Sequence, residues 1–253
     1  MKIAVSGKGG VGKTTLTAIL ARIFYLEGHK VLAIDADPDA NLALALGFER
    51  SEEITPLSEM RELIAERTGA QPGSMGAMFK MNPKVDDLPE TISREMDGIK
   101  FLVMGGVKKG GGGCVCPESV LLKQLITHLV LARDEVVIID MEAGLEHLGR
   151  GTSSAVDKLL VVVEPGRRSL NTAQAVRRLA NDLKLRNIAV VGNKIRNEKD
   201  ENFIRNGLPD FEILGFIPYS EEVIEADLSD GAVYKNAPLT VEAVKKIYKQ
   251  LIT

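Results

Sequence analysis

The residues with the clearest chemical meaning follow the apolar run Ile3–Val5 near the start of the chain. Four of them satisfy the pattern G-x-x-x-x-G-K-[ST] of a phosphate-binding loop, namely Gly7, Gly12, Lys13 and Thr14. Glycines let backbone N–H groups surround a phosphate, Lys13 reaches the β- and γ-phosphates, and the Thr14 hydroxyl can bind Mg²⁺. The alternative is an ordinary glycine-rich turn. A strand before the loop and a helix after it favour a nucleotide site made by Gly9, Gly10, Val11, Gly12, Lys13, Thr14 and Thr15.

Carboxylates follow two further apolar runs of the chain. The sequence Asp-Ala-Asp-Pro-Asp occupies 35–39, and Asp140 ends the run Val136–Ile139. Because ligands of open parallel sheets bind at the carboxyl ends of the strands, we expect these acids beside the phosphates. An apolar strand ending in an acid has the Walker-B form, so Asp140 is predicted to hold Mg²⁺, although an ordinary strand-end acid is the alternative. Asp35 and Asp39 could instead cap the next helix, and for Asp39 we favour capping.

Cys114 and Cys116 follow four glycines and precede Pro117, where a helix can begin. In an extended segment residues i and i+2 point the same way, so both thiolates can reach one ion. Two sulfurs fill half of a four-ligand shell, and a homodimer whose axis passes this loop would complete it. Such sites favour Zn²⁺, Ni²⁺, Cu(I) or an iron–sulfur cluster. The alternatives are a strained disulfide or two cysteines without a shared role.

Residues 1–60 resemble the deviant-Walker ATPases, which include ParA, MinD and the nitrogenase iron protein. The resemblance rests on the sequence Lys-Gly-Gly-Val-Gly-Lys-Thr at 8–14, in which Lys8 has no duty in an ordinary phosphate-binding loop. In that family this lysine crosses a dimer interface to the partner's nucleotide, so the resemblance implies an ATP-sandwich homodimer. It also implies that Asp37 orients or activates the attacking water. Lys8, Lys13 and Asp37 are therefore the predicted catalytic residues.

The same resemblance implies contacts to the adenine base. The run Val190–Lys194 ends in Asn-Lys, and in the family the asparagine amide reads the base edge while the lysine stem packs on the ring. These roles pass to Asn193 and Lys194. The segment Phe216–Tyr219, with Pro218, resembles the second loop that contacts the base.

The phosphate-binding loop, Asp-Ala-Asp-Pro and the glycine-rich Cys-Val-Cys-Pro-Glu together resemble one branch of these ATPases. That branch is the CooC family, the nickel-insertion accessory ATPases of carbon monoxide dehydrogenase and the related acetyl-CoA synthase maturation factors. The order of motifs covers nearly the whole chain, and the C-x-C is specific to the branch. The resemblance implies ATP-driven dimerisation coupled to nickel capture or release at Cys114 and Cys116.

Near-continuous apolar runs alternate with helical patterns along the chain, as is typical of a parallel sheet covered on both faces. We predict an α/β P-loop NTPase fold, with a doubly wound, mostly parallel sheet of about seven strands and helices on both faces. The predicted strands lie at Ile3–Val5, Val31–Ile34, Phe101–Met104, Val136–Ile139, Leu159–Val163, Ile188–Val191 and Ile213–Ile217. The predicted helices span 13–27, 56–68, 117–132, 169–184 and 239–251.

The composition suits a single ATPase domain over 1–253, with 45% hydrophobic residues available for a core. We interpret the glycine- and proline-rich stretch 69–98 as a surface insertion with little regular structure. A net charge of −3 argues against non-specific nucleic-acid binding. The chain has no run of about 18 apolar residues and opens on a strand, so we expect a cytoplasmic protein without a membrane partner. The apolar stripe of the last helix could grip a membrane, but we favour its packing onto the sheet.

Together these features predict an ATP-hydrolysing homodimeric metallochaperone that uses ATP/ADP and Mg²⁺. It would bind Ni²⁺ or Zn²⁺ at cysteines shared across the dimer and insert nickel into a client such as carbon monoxide dehydrogenase or acetyl-CoA synthase. One alternative is an iron–sulfur electron-transfer ATPase resembling the nitrogenase iron protein, but that family draws its two cysteines from separate loops. The other is a spatial organiser on membrane or DNA, which leaves the cysteines unexplained.

Overall fold

The computed structural model describes residues 1–48, 51–70, 79–105, 117–131, 134–145, 148, 156–229 and 231–253. Within these ranges the strands are β1 (Lys2–Gly7), β2 (Val31–Ala36), β3 (Arg94–Met96), β4 (Ile99–Val103), β5 (Val136–Met141), β6 (Lys158–Val163), β7 (Ile188–Ile195) and β8 (Glu212–Pro218). They form one sheet in the order β3-β4-β2-β5-β1-β6-β7-β8. Every pair is parallel except β3 with β4. The predicted doubly wound, mostly parallel fold is confirmed.

Helices cover both faces of this sheet. They are α1 (Lys13–Leu26), α2 (Leu42–Ala45), α3 (Arg61–Thr68), α4 (Leu88–Ile92), α5 (Pro117–Leu131), α6 (Arg167–Asp182), α7 (Glu198–Gly207), α8 (Glu221–Leu228), α9 (Val233–Asn236) and α10 (Pro238–Leu251). Side-chain alternation in β1 divides the core: Ile3 and Val5 pack with α1 and α10, and Ala4 packs in the cluster that holds residues of α5 and α6. All six residues of β1 are buried, which explains why the strand lacks polar alternation.

The prediction of little regular structure over 69–98 is wrong for its second half. Leu88, at the start of α4, is fully buried, and β3 pairs antiparallel with β4 at the edge of the sheet. Asp97 and Gly98 join the two strands with φ angles of 48° and 81°. Both residues therefore adopt the left-handed conformation of a type I′ hairpin turn. Asp-Gly is the strongest short sequence signal for such a hairpin, and it was the signal that could have found β3.

Other differences concern short helices and helix ends. The helix predicted over 56–68 consists of a 3₁₀ turn at Leu57–Glu59 followed by α3. The sequence patterns did not predict α7 and α8, yet both begin at a capping side chain. Asn197 accepts hydrogen bonds from the backbone of Lys199 and Asp200, and Ser220 does so from Val223. Their caps and acidic first turns are sequence signals in themselves.

The last helix, α10, packs on the sheet rather than presenting its apolar stripe. Val244 and Ile247 are at most 1% exposed, and Tyr248 and Leu251 are also buried. The predicted packing is confirmed. Among the described residues, no helix combines the length and apolar character that a membrane crossing requires.

Candidate nucleotide-binding site

The phosphate-binding loop joins β1 to α1 at the carboxyl edge of the sheet. Gly12 begins the helix in the left-handed conformation, with φ 94° and ψ 31°, and no side chain caps the helix start among the described residues. The first-turn N–H groups of α1, including those of Thr14 and Thr15, are therefore available to an anion. A side chain at Gly12 would also collide with Asn193, whose Nδ2 lies 2.2 Å from the position of a Cβ. Backbone conformation and close packing both require glycine there.

The two lysines of the loop occupy different environments. Lys13 is 6% exposed, and its Nζ lies 3.5 Å from Oδ2 of Asp37. Lys8 is 40% exposed, and its Nζ lies 3.6 Å from Oε1 of Glu164 on the neighbouring strand end. Lys13 and Asp37 thus face the phosphate position together, whereas Lys8 lies at the rim.

Thr14 and Asp140 form a site suited to Mg²⁺. The Thr14 hydroxyl donates to Asp140 Oδ2 at 2.6 Å, and the buried Oδ1 of Asp140 has no hydrogen-bond partner among the described residues. The pKa of Asp140 is raised to about 7, chiefly by burial and less by the charges of Asp35 and Asp37, against the lowering effects of the Thr14 hydrogen bond and Lys13. A hydroxyl and an unsatisfied carboxylate oxygen are ligands that Mg²⁺ accepts. These residues fit the ion.

Asp35, not Asp39, interacts with the start of α2. Asp35 Oδ2 accepts from the N–H of Leu42 at 2.8 Å, and its Oδ1 accepts from Asp37 at 3.1 Å. Burial raises the pKa of Asp35 to about 6, partly offset by these hydrogen bonds. The favoured capping role for Asp39 is wrong, because Asp39 is exposed and the carboxylate that accepts from Leu42, the first residue of α2, belongs to Asp35. The strand end places Asp35 beneath the helix start, where it fixes the segment that carries Asp37.

Asn193 and Lys194, at the end of β7, contact the loop from the side. Asn193 Nδ2 donates to the carbonyl of Val11 at 2.7 Å, and Lys194 Nζ donates to that of Gly10 at 2.6 Å. Peptide N–H groups that face a phosphate leave their carbonyls facing outward, and these two side chains bind such carbonyls. The predicted contacts of Asn193 and Lys194 with the adenine base stay a prediction.

A cleft of about 720 Å³ runs from the phosphate-binding loop to the end of β8. Its volume lies in the usual range for small-molecule sites. The guanidinium of Arg196 lies 5.0 Å from the ring centre of Tyr219 at its far end. Predicted residues among those lining the cleft are Gly10, Gly12, Thr14, Thr15, Asn193, Lys194 and Pro218.

Glu164 was missed by sequence reasoning. Its carboxylate contacts Lys8 and, 3.3 Å away, Lys194. The available signal was the one used for Asp140, an apolar strand that ends in an acid. The predicted metal ligands Cys114 and Cys116 lie outside the described residues.

Known proteins with similar sequences or folds are nucleotide-binding proteins. The protein-family model of the CobQ/CobB/MinD/ParA nucleotide binding domain matches residues 2–233 of this chain. An uncharacterized ATP-binding protein of Methanocaldococcus jannaschii is 49% identical over 255 residues, covering 100% of this chain and 98% of that protein. The carbon monoxide dehydrogenase accessory protein CooC of Rhodospirillum rubrum is 48% identical over 240 residues, covering 94% and 91%. A ParA family ATPase from Chlorobium tepidum has a similar fold, with a TM-score of 0.72 at 18% identity over 100% of this chain and 99% of that one.

Proposed function

Because the chain belongs to the CobQ/CobB/MinD/ParA nucleotide-binding family of P-loop ATPases, we propose that it is a homodimeric, cytoplasmic nickel chaperone. In this proposal ATP drives the delivery of Ni²⁺ to a nickel enzyme, namely carbon monoxide dehydrogenase or acetyl-CoA synthase. The observation that carries the proposal is the 48% identity with an accessory protein of carbon monoxide dehydrogenase across nearly the whole chain. The C-x-C motif supplies the soft ligands that such a cargo requires.

The geometry supports the hydrolytic half of the proposal. Lys13 neutralises the β- and γ-phosphates, and the carboxylate of Asp37 beside it orients the attacking water. Bound Mg²⁺, held by Thr14 and Asp140, supplies further charge neutralisation at the phosphate oxygens. Phosphoryl transfer needs positioning and charge stabilisation more than a strong base, and these residues provide both.

Dimerisation gives a role to Lys8 and completes the set of thiolate ligands that one chain only half supplies. Lys8 pairs with Glu164 rather than with Asp37 and is 40% exposed, so its ammonium group is available to the nucleotide of a second copy. Cys114 and Cys116 provide two thiolates, and two chains provide the four of a complete shell. Nickel, or zinc in its absence, is the cargo bound there.

A nickel-transfer assay tests this function. The full chain is loaded anaerobically with Ni²⁺ and mixed with nickel-free carbon monoxide dehydrogenase, with and without Mg-ATP. We expect ATP-dependent recovery of dehydrogenase activity, and no recovery with Lys13→Ala or Cys116→Ser. Recovery that is independent of ATP and of Cys116 would contradict the proposal. A brown iron–sulfur chromophore in the anaerobically purified protein would instead support electron transfer.

A further inference from the structure

We propose that Glu164 is a positioning residue that holds Lys8 within its own chain until a second copy competes for it. The inference rests on the proposed function, in which Lys8 serves the partner's nucleotide. Glu164 belongs to none of the motifs described above. Its ion pair with Lys8 has to break before the ATP-bound dimer can form.

Glu164 is fixed at the point where β6 ends. Its backbone N–H donates to Oγ of Ser169 at 3.0 Å, and Ser169 lies on α6 with 2% exposure. The carboxylate is therefore presented at the carboxyl edge of the sheet from a well-anchored backbone. Each of its oxygens faces one lysine, Oε1 towards Lys8 and Oε2 towards Lys194.

A carboxylate beside a phosphate-binding loop is electrostatically unfavourable for an anionic ligand unless cations neutralise it. Lys194 is suited to that purpose, because its Nζ also donates to the carbonyl of Gly10 and so stays in place. Lys8 has no such second anchor among the described residues. When Lys8 leaves, Lys194 still pairs with Glu164 and still donates to the carbonyl of Gly10.

The strength of the Lys8 contact suits a reversible interaction. The two charged groups are 3.6 Å apart, with side-chain exposures of 40% for Lys8 and 27% for Glu164. Ion pairs this exposed are weak, because water screens them and the side chains lose freedom. The polyphosphate of a second copy carries several negative charges and can outcompete a single carboxylate. Glu164 therefore weakens dimerisation without preventing it.

Each symmetric dimer must release two Lys8 side chains, so the effect counts twice. From the usual stabilisation by exposed ion pairs, loss of one Lys8–Glu164 pair changes the dimer dissociation constant about 1.5- to 5-fold, and loss of two pairs changes it about 2- to 25-fold. With a saturating, non-hydrolysable ATP analogue and Mg²⁺, we expect Glu164→Gln to lower the dimer dissociation constant by that factor in analytical ultracentrifugation. Because every variant is saturated with the analogue, differences in nucleotide affinity do not affect the measured dimer dissociation constant.

The experiment compares five proteins: the parent chain, Glu164→Gln, Lys8→Ala, the double variant and Glu212→Gln. Glu212 pairs with Lys158 at the opposite edge of the sheet, so its substitution removes a comparable charge without touching the loop. We expect Glu212→Gln to dimerise like the parent chain. Lys8→Ala and the double variant should be equally impaired, because Glu164 acts through Lys8.

Unchanged or weaker dimerisation of Glu164→Gln would overturn the inference, and so would equal tightening in the presence and absence of Lys8, which would indicate a general charge effect. If the parent chain stays monomeric with the ATP analogue, the proposed function fails as well. A parent dimer that requires Lys8 but ignores Glu164 would overturn this inference alone.

Discussion

Charge balance at single residues governs the candidate site. Asp35 and Asp140 are register partners on adjacent strands, and Asp37 follows close by. Lys13 is the buried cation that offsets these carboxylates. In the proposed function Thr14 and Asp140 would hold Mg²⁺, and Lys13 would contact the phosphates of the nucleotide.

Asp37→Asn tests the catalytic role of the carboxylate next to Lys13. The phosphate cradle is left in place, so ATP should still bind, but the attacking water loses its orienting group. We expect hydrolysis to fall about a hundredfold or more and an ATP-bound dimer to persist. Phosphate release and size-exclusion chromatography with ATP measure both effects. Unchanged hydrolysis, or a protein that stays monomeric with ATP, would exclude the assigned role.

Asp140→Asn tests the energetic cost of the proposed magnesium site. The pKa of Asp140 rises from 3.8 to about 7, chiefly through burial, so between these pH values the folded chain keeps a proton that the unfolded chain has released. Stability of the metal-free protein therefore falls as the pH rises from about 4 to about 7 and stays low above that. Asparagine removes the buried charge and can still hydrogen-bond Thr14.

In EDTA at pH 8 we expect the Asp140→Asn variant to be more stable than the parent chain, by up to about 4 kcal/mol. The difference should shrink towards pH 5, and Mg²⁺-dependent hydrolysis should be lost. Urea unfolding at the two pH values measures the change. A variant that is less stable at pH 8 would show that the carboxylate is not a source of instability.

At the scale of elements, the site depends on how the loop between β1 and α1 is held. Its backbone carbonyls bind side chains of β7, and Gly12 packs directly against Asn193. These contacts support the loop from the side, and a supported loop loses less conformational freedom when it binds a ligand. The strand ends act as a rigid frame for a segment with no regular structure of its own.

Gly12→Ala should disturb this frame, and Gly28→Ala provides a matched control. Both glycines have similar left-handed φ angles, 94° and 88°, but a Cβ at Gly28 would meet nothing within 4 Å. We expect Gly28→Ala to cost about 1 kcal/mol of stability through backbone strain alone. Gly12→Ala should cost more and should also weaken ADP binding. Urea unfolding and ADP titration compare them, and equal effects would mean that the contact with Asn193 is unimportant.

At the scale of the whole molecule, nucleotide and metal are linked through the dimer in the proposed function. An ion that needs four thiolates binds only when two chains meet, so Ni²⁺ must promote dimerisation by the same free energy with which dimerisation promotes Ni²⁺ binding. The helix α5 begins directly after the C-x-C motif.

We predict one Ni²⁺ per dimer in anaerobic titration of the full chain. Thiolate ligation should release protons and weaken binding at acidic pH. Cys114→Ser should lose Ni²⁺ and Ni²⁺-induced dimerisation but retain ATP binding. Isothermal titration with sedimentation analysis provides these readouts. One ion per monomer, or full affinity in Cys114→Ser, would contradict the shared site.

Much of the architecture could be predicted from local sequence. The seven predicted strands all exist, because short apolar runs rich in β-branched residues suit strands of a sheet that is covered on both faces. The loop before α1 and the acid at the end of β5 follow from fixed spacing along the chain. The hairpin of β3 and β4 was also encoded locally, in Asp97 and Gly98, and was overlooked.

Tertiary structure alone decided which distant groups meet. Lys194 and Gly10 are 184 residues apart, and nothing local indicates that this lysine would bind the loop carbonyl. Asp35 and Asp39 are equally suited to capping by residue type, and only the position of α2 above the end of β2 selected Asp35. The pairing of Glu164 with Lys8 likewise depends on β6 lying beside β1. Sequence spacing determines contacts within an element and its adjoining turn, whereas contacts between strand ends depend on the order of strands in the folded sheet.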